Sequence, residues 1–259
     1  MTFSLLLILF FLSGCNQKEI DNLKQEIHEL RTEVREVEQI KYEIDALRQE
    51  LKKQAPATIN NVEINQNSAI VPKNYKSTKS ELDDPFLGDK NSEVTLMMFT
   101  DHQCKLCVNF LASNLENIKK DYTSQHKVKF ILRDHPLATN SQAFSVANFA
   151  NCAGEQGKYW DALNVIISKP ELVNKAEFKQ ISAEIKGIDA NKLLRCTNRM
   201  RYEKEIELDR ADAKTLGLSG VPSFYVGKIK NAEYAGYLIR GAQPYNVLKS
   251  QVEKVLKSE

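Results

Sequence analysis

The chain has 259 residues, and its 36 Lys and Arg residues nearly balance its 34 Asp and Glu residues, giving a formal net charge of +2. No basic tract is long enough to hold a run of phosphates, so the charge pattern excludes a nucleic-acid-binding protein and no nucleic-acid partner is predicted. The length suits a domain with a sizeable core together with accessory segments.

Residues 1–15 predict export and attachment to a lipid. The apolar run Phe3–Leu12 is about ten residues long; a membrane-spanning helix needs roughly twenty, so the run suits the hydrophobic region of a secretory signal. The run ends in "LSGC", which resembles the lipobox of bacterial lipoproteins and implies a lipid on Cys15. No Lys or Arg precedes the run, which departs from that pattern. A buried strand with a chance cysteine is the alternative.

The lipobox implies a location on the periplasmic or cell-surface face of a bacterial membrane. Lipoproteins held at the inner membrane commonly carry an aspartate after the lipidated cysteine, and Asn16 stands there in this chain, which favours the outer membrane. Disulfides persist in such a compartment. With Cys15 set aside as the lipid carrier, the remaining cysteines allow three pairings; they are Cys104, Cys107, Cys152 and Cys196.

Residues 16–53 predict a coiled-coil oligomerisation helix. Their apolar residues are spaced alternately by three and four, with one doubled three between Val37 and Ile40, in a segment that is otherwise charged. They are Ile20, Leu23, Ile27, Leu30, Val34, Val37, Ile40, Ile44, Leu47 and Leu51. This seam favours a homodimer or homotrimer; the alternative is one amphipathic helix lying on its own globular domain. Residues 54–83, rich in Asn, Ser, Thr and Pro, predict a flexible linker.

Residues 84–259 predict the globular domain. The apolar runs "EVTLMMF" and "KVKFILRD" are typical of buried strands, and the stretch from Lys105 to about Tyr122 between them has apolar residues at helical spacing. Strand, helix and strand in this order predict an α/β fold. The first cysteine of "CKLC" then lies at the N-terminus of the helix.

That position predicts redox chemistry for Cys104 and Cys107. A helix N-terminus offers free N–H groups and a partial positive charge, which stabilise a thiolate. We expect Cys104 to attack the substrate disulfide and Cys107, one turn later, to resolve the mixed disulfide. Lys105 adds positive charge, and His102 is a candidate for tuning the pKa of Cys104. A metal site is the alternative, but the four histidines form no metal-binding motif, so no metal or cofactor is predicted.

Several ordered motifs resemble the bacterial DsbA-like thioredoxin-fold disulfide oxidoreductases. The first is "DDPFLGDKNSEVTLMMFTDHQCKLC", followed by "RDHPL", "ANCAGEQGKYWDAL" and "LGLSGVPSFYVG". The resemblance spans about Asp84 to the C-terminus and implies a thioredoxin fold with a helical insertion at about 140–216. It also implies that Val221-Pro222 is the cis-proline dipeptide of the family, whose backbone faces the active-site disulfide and pairs with an extended substrate strand.

One position departs from the family. Many relatives carry a buried acid three residues before the aspartate of "FTD", where it assists proton transfer at the second cysteine, and here that residue is Met98. Since methionine carries no titratable proton, deprotonation of Cys107 would rely on water, on Asp101 or on the substrate. Asp101 is a candidate for this role, or it satisfies amides at the start of the helix.

Cys152 and Cys196 remain once the redox pair is assigned, and both lie on predicted helices with apolar neighbours. In an oxidising compartment we expect them to form a structural disulfide; two buried free thiols are the alternative.

Together these features predict an exported, lipid-anchored thiol–disulfide oxidoreductase that forms or isomerises disulfides. Its expected partners are exported proteins with cysteines, a redox protein that recycles the Cys104/Cys107 pair, and the membrane through Cys15. The alternative is a coiled-coil surface lipoprotein whose thioredoxin-like domain only binds or scaffolds. The intact cysteine pair with Val221-Pro222 favours the enzyme, but the motif does not distinguish an oxidase, an isomerase and a reductase.

Overall fold

The computed structural model describes residues 21–22, 24–32, 34, 43, 68–71, 75–77 and 84–258. The chain forms two compact units, Met1–Glu63 and Ile64–Glu259. The described residues of the first unit are helical. The predicted signal and lipobox lie outside the described residues, as does much of the predicted coiled coil, which stays a prediction. Within the described ranges, no helix has the length and apolar character needed to cross a membrane.

The second unit is a mixed β-sheet with helices. Its strands are β1 (Ser68–Ile70), β2 (Phe86–Leu87), β3 (Val94–Thr100), β4 (Val128–Asp134), β5 (Ser223–Lys230) and β6 (Glu233–Arg240). Its helices are α1 (Lys105–Asp121), α2 (Ala143–Gly154), α3 (Tyr159–Ser168), α4 (Pro170–Asn174), α5 (Phe178–Ala183), α6 (Ala190–Asn198), α7 (Glu203–Thr215) and α8 (Tyr245–Lys257). A 3-10 turn, Thr123–Gln125, follows α1.

The described strands form one sheet in the order β1-β6-β5-β3-β4-β2. Strands β3 and β4 are parallel, and the other neighbouring pairs are antiparallel. The parallel register pairs Val94 with Val128 and Thr100 with Asp134. Because parallel strands end at the same edge of a sheet, the turn that follows Thr100 lies beside the loop that follows Asp134.

The core is built around the two parallel strands. All seven residues of β3 and all seven of β4 are buried, as expected where helices cover both faces of a sheet. Helix α1 contributes an apolar face, and the ring centroids of Phe110 on α1 and Phe224 on β5 lie 4.8 Å apart. The predicted strand–helix–strand order over residues 93–134 is confirmed.

The helical insertion is also confirmed. Helices α2 to α7 follow one another between β4 and β5, within the predicted range 140–216. Helix α7 packs against β4 through its buried residues Ile206, Asp209, Asp212 and Ala213.

Part of the segment 54–83, which the sequence predicts to be a flexible linker, is folded. Strand β1, within this range, pairs antiparallel with β6 along one edge of the sheet. Val71 and Tyr75 are buried, and the Tyr75 ring packs edge-on against Tyr234 with centroids 5.2 Å apart. These apolar side chains gain burial by docking on the sheet, so part of the polar segment joins the folded unit.

A buried arginine joins the insertion to the sheet. Arg133 on β4 is fully buried, and its guanidinium lies 2.5 Å from Asp84, 2.9 Å from Asp212 and 3.6 Å from Asp209. It also donates to the Tyr234 hydroxyl at 3.2 Å. Because Asp209 and Asp212 belong to α7, this network fixes the last insertion helix against the strand that ends beside the cysteine turn.

Candidate active site

The turn after β3 places Cys104 at the N-cap of α1. The Cys104 N–H donates to the Asp101 carbonyl at 3.0 Å, which closes the turn. The Cys104 sulfur accepts a hydrogen bond from the Cys107 backbone N–H at 3.4 Å. The two cysteines are free thiols; Cys104 is half-buried and Cys107 is fully buried. The sulfur that a substrate can reach therefore also receives the dipole of the helix.

This environment separates the pKa values of the two cysteines. The Cys107 thiol hydrogen-bonds the Cys104 sulfur and, with the backbone N–H groups of Cys107 and Leu106, lowers the pKa of Cys104 to about 6. Partial burial and the charge of Asp101 oppose this decrease. Burial, followed by its bond to Cys104, raises the pKa of Cys107 well above its ordinary value. At neutral pH the pair therefore holds a Cys104 thiolate and a Cys107 thiol.

Asp101 is buried and holds the turn in place. Its carboxylate accepts hydrogen bonds from the N–H of Gln103 at 2.7 Å, the N–H of Leu137 at 2.9 Å and the side-chain amide of Asn140 at 2.7 Å. These three bonds favour the structural interpretation of Asp101, because one of its oxygens binds the cysteine turn and the other binds the loop after β4.

The backbone of Val221 faces the reactive sulfur. The Val221 carbonyl oxygen lies 3.6 Å from the Cys104 sulfur, and the Val221–Pro222 peptide bond is cis. The chain then enters β5, which pairs with β3. The antiparallel neighbour of β3 thus brings residue 221 to the cysteine turn.

The other residues that the sequence analysis considered for the site differ in how deeply they are buried. The ring of His102 is buried, and its Nε2 lies 3.2 Å from the Asp134 carboxylate, with no aligned hydrogen bond between the two groups. Lys105 is the exposed first residue of α1. Met98 is fully buried in β3. Of these three, His102 links the cysteine turn to the end of β4.

Two residues of the site, Thr100 and Gln103, were not identified by the sequence analysis. The buried Thr100 hydroxyl and the Asp101 N–H oppose the increase in the pKa of Cys107. Gln103 accepts from the Gln142 N–H at 2.8 Å and donates to Asn174 at 3.2 Å, joining the turn to the insertion. In the sequence, the only sign of their role was a hydroxyl residue and an amide residue close to "CKLC". Such residues are common in turns, so they do not by themselves indicate a site.

The other two cysteines form a second pair away from the turn. A disulfide joins Cys152 on α2 to Cys196 on α6, the pair expected from the sequence, and the Cα atoms are 5.8 Å apart. Both residues are buried. Within the described residues, no group of three or more His, Cys, Asp or Glu side chains is arranged to hold a metal ion.

Comparison with known proteins connects this arrangement to relatives. Residues 80–237 match the sequence profile of the Thioredoxin family. A Rickettsia felis protein provisionally named a protein-disulfide oxidoreductase is 22% identical over 258 residues, covering 88% of this chain and 88% of that protein.

Two crystal structures share the fold. BdbD from Bacillus subtilis covers 71% of this chain and 98% of its own length, with 19% identity and a TM-score of 0.57. Alpha-DsbA1 of Wolbachia pipientis covers 67% and 90%, with 18% identity and a TM-score of 0.59. These likenesses show the DsbA-like thioredoxin fold with its helical insertion.

Proposed function

Because the chain belongs to the Thioredoxin family, we propose that it is a protein thiol–disulfide oxidoreductase that acts outside the cytoplasm on the cysteines of exported proteins. One observation carries this proposal: the Cys104 sulfur lies at a helix N-terminus, bonded to the Cys107 N–H and 3.6 Å from the Val221 carbonyl. A reactive sulfur beside a backbone edge suits attack on a polypeptide. The provisional name of the Rickettsia felis relative supports the same activity.

In the oxidising direction, a substrate thiolate attacks the Cys104 sulfur of the Cys104–Cys107 disulfide. The protein S–S bond breaks, a mixed disulfide forms, and Cys107 leaves as a thiolate that takes up a proton. A second substrate thiolate then attacks the first substrate sulfur, which forms the substrate disulfide and releases the Cys104 thiolate. Two electrons pass from substrate to protein, and a recycling partner must remove them.

The surroundings of Cys104 suit a protein substrate. The side chain of Leu106, between the two cysteines, is 56% exposed, which offers an apolar contact at the reactive sulfur. We assign the backbone of Val221 and Pro222 to the binding of an extended substrate segment by strand pairing. The Asp101 N–H favours the Cys107 thiolate when it leaves, against the larger effect of burial, and we assign its protonation to water or the substrate.

The pKa of Cys104 bears on the direction of the redox reaction. A low pKa stabilises the reduced, thiolate form of the pair, so the disulfide form is a stronger oxidant. At about 6, this pKa lies between those of strong oxidants and those of reductants of the fold, which are about 3.5 and about 7, and is nearer to the latter. The proposed direction, disulfide formation or isomerisation, therefore rests on the predicted export of the chain to an oxidising compartment and not on this pKa.

The N-terminal segment is proposed to anchor and assemble the enzyme. Among the described residues of the first unit, Ile27, Leu30 and Val34 are 48%, 59% and 57% exposed. Their spacing of three and four places them on one helix face, which supports a partner helix covering them. The lipid on Cys15 would hold this assembly at the membrane, and fatty-acid labelling that persists in Cys15→Ser would exclude this anchor.

The activity is tested by insulin reduction and by refolding of a scrambled disulfide substrate. Cys104→Ser should abolish both activities, because it removes the attacking thiolate. The matched variant Cys107→Ser, one helical turn away, should accumulate mixed disulfides on Cys104 that a non-reducing gel resolves. Full activity of Cys104→Ser in both assays would exclude the proposed function.

A further inference from the structure

A basic cleft lies beside the cysteine turn. Its volume is about 480 Å³. The lining residues are His135, Glu207, Arg210, Ala211, Lys214, Leu218 and Ser219. Three elements therefore meet at the cleft: helix α7, the loop after β4, and the segment that leads to Val221.

The charges of the cleft favour an anion. Arg210 and Lys214 supply two positive charges against one carboxylate, Glu207, which lies 2.7 Å from Arg210. The spacing of three, four and seven residues places all three side chains on one face of α7. Glu207 and Lys214 are exposed, so solvent and solutes reach them.

One residue of the cleft wall has a buried polar atom without a hydrogen-bond partner. The Nδ1 of His135 is buried and has no hydrogen-bond partner among the described residues. Burial, followed by the charge of Arg210, lowers the pKa of His135, so the ring is neutral at physiological pH. The charge of the nearby Asp101 carboxylate opposes this decrease.

Two residues of the cleft wall are linked to the segments that hold the reactive sulfur. Ser219 precedes Val221 by two residues, a separation of at most about 7 Å along an extended chain. The His135 N–H donates to the Thr100 carbonyl at 2.7 Å, at the start of the cysteine turn. In a substrate strand paired with Val221, alternate side chains project to the same side, so a residue two positions from the substrate cysteine shares the side of that cysteine. The cleft begins two residues from Val221, at Ser219.

We propose that this cleft, through Arg210 and Lys214, binds an acidic side chain of the substrate protein two residues from its reactive cysteine. The cleft is thus a specificity site that selects substrates by charge. The inference rests on the proposed thiol–disulfide activity and adds the class of substrate to it.

Dicysteine peptides test the inference on the full-length oxidised protein. The peptides are identical except for Glu or Lys, placed two residues before or two residues after the first cysteine. The measured quantity is kcat/KM for formation of the peptide disulfide, at low and high salt. Oxidation of the small dithiol dithiothreitol, which has no side chain for the cleft, is the internal standard. The test variants are Arg210→Gln, Lys214→Gln and the double variant that combines them. The control is Lys204→Gln, which removes one positive charge, as each single variant does, from an exposed position of α7 outside the cleft.

We expect the Glu peptide to react about two- to fivefold faster than the Lys peptide at one of the two positions, the range for a partly exposed ion pair. This preference should fall with added salt and disappear in the double variant but persist in Lys204→Gln. Equal rates for the Glu and Lys peptides at both positions, with normal oxidation of dithiothreitol, would overturn the specificity site alone. Loss of dithiothreitol oxidation in the wild type would overturn the proposed function, and the inference with it.

Discussion

The Cys107 backbone N–H donates to the Cys104 sulfur across 3.4 Å. This contact makes the reactive sulfur the N-cap of α1, so the backbone that begins the helix also stabilises the thiolate. The order of strand, turn and helix therefore contributes to the low pKa of Cys104.

The first prediction is a thiolate titration in the reduced protein. Because the pKa of Cys104 is about 6, against about 8.5 for a free cysteine, iodoacetamide should alkylate Cys104 with a rate that rises with pH around a midpoint near 6. The lowered pKa also stabilises the folded reduced protein above about pH 8.5, and this stabilisation is lost as the pH falls through about 6. A midpoint above 8 would contradict the description of the site.

Two variants separate the causes of that pKa. Cys107→Ala removes the thiol that bonds the Cys104 sulfur but keeps the backbone N–H, so the pKa of Cys104 should rise. Cys107→Ser supplies a hydroxyl donor in the same place and should raise the pKa less. A midpoint equal to that of the wild type in both variants would show that the side chain at 107 does not affect the pKa of Cys104.

The second prediction concerns the Cys152–Cys196 disulfide. A cross-link between residues separated by 44 positions should stabilise the fold by about 4 kcal/mol on a chain-entropy estimate. After mild oxidation of the active site, denatured and unreduced protein lacking residues 1–15 should contain no free thiol. Two thiols per chain would exclude the disulfide, and an unfolding free energy unchanged in Cys152→Ala/Cys196→Ala would exclude its role in stability.

The third prediction concerns Arg133. Arg133→Met leaves Asp84, Asp209 and Asp212 without the buried guanidinium, so the free energy of unfolding should fall by about 3–5 kcal/mol. Lys158→Met is the control, since it breaks a surface ion pair with Asp161 and should cost less than about 1 kcal/mol. Urea unfolding measures the free energy of unfolding of both variants. An equally small decrease in the two variants would show that the buried network contributes little to stability.

The fourth prediction concerns assembly. The protein lacking residues 1–15 should sediment as a dimer or trimer, and removal of residues 16–53 should yield monomers, because the exposed seam buries apolar surface only against another copy. By analogy with disulfide isomerases that join several active sites through an N-terminal segment, isomerase activity should fall on this deletion while dithiol oxidation persists. A monomer at tens of micromolar with the segment present would exclude the stalk.

The site and the central fold could be predicted because their signals are local. The apolar runs of β3 and β4, the helical spacing of α1 and the position of Cys104 between them follow directly from residue order. The partner strand β5 and the role of Val221 lie more than a hundred residues away and came only from resemblance to a known family.

Other features could not be predicted because they depend on tertiary contacts. Strand β1 has a three-residue sequence with no strand signal of its own and forms where β6 offers an edge. Arg133 was part of the recognised "RDHPL" motif, but its carboxylate partners come from distant segments. Likewise, two of the three hydrogen bonds that Asp101 accepts come from the loop after β4, and only the folded structure brings that loop to the cysteine turn.

The reduction potential of the Cys104/Cys107 pair, measured by equilibration with glutathione, tests the central claim most directly. A thiolate with a pKa of about 6 predicts a reversible couple with a potential between about −270 mV, that of thioredoxin, and about −120 mV, that of a strong oxidant. A potential below about −300 mV, the range of structural disulfides, would contradict the account, because such a pair would not exchange electrons with substrates.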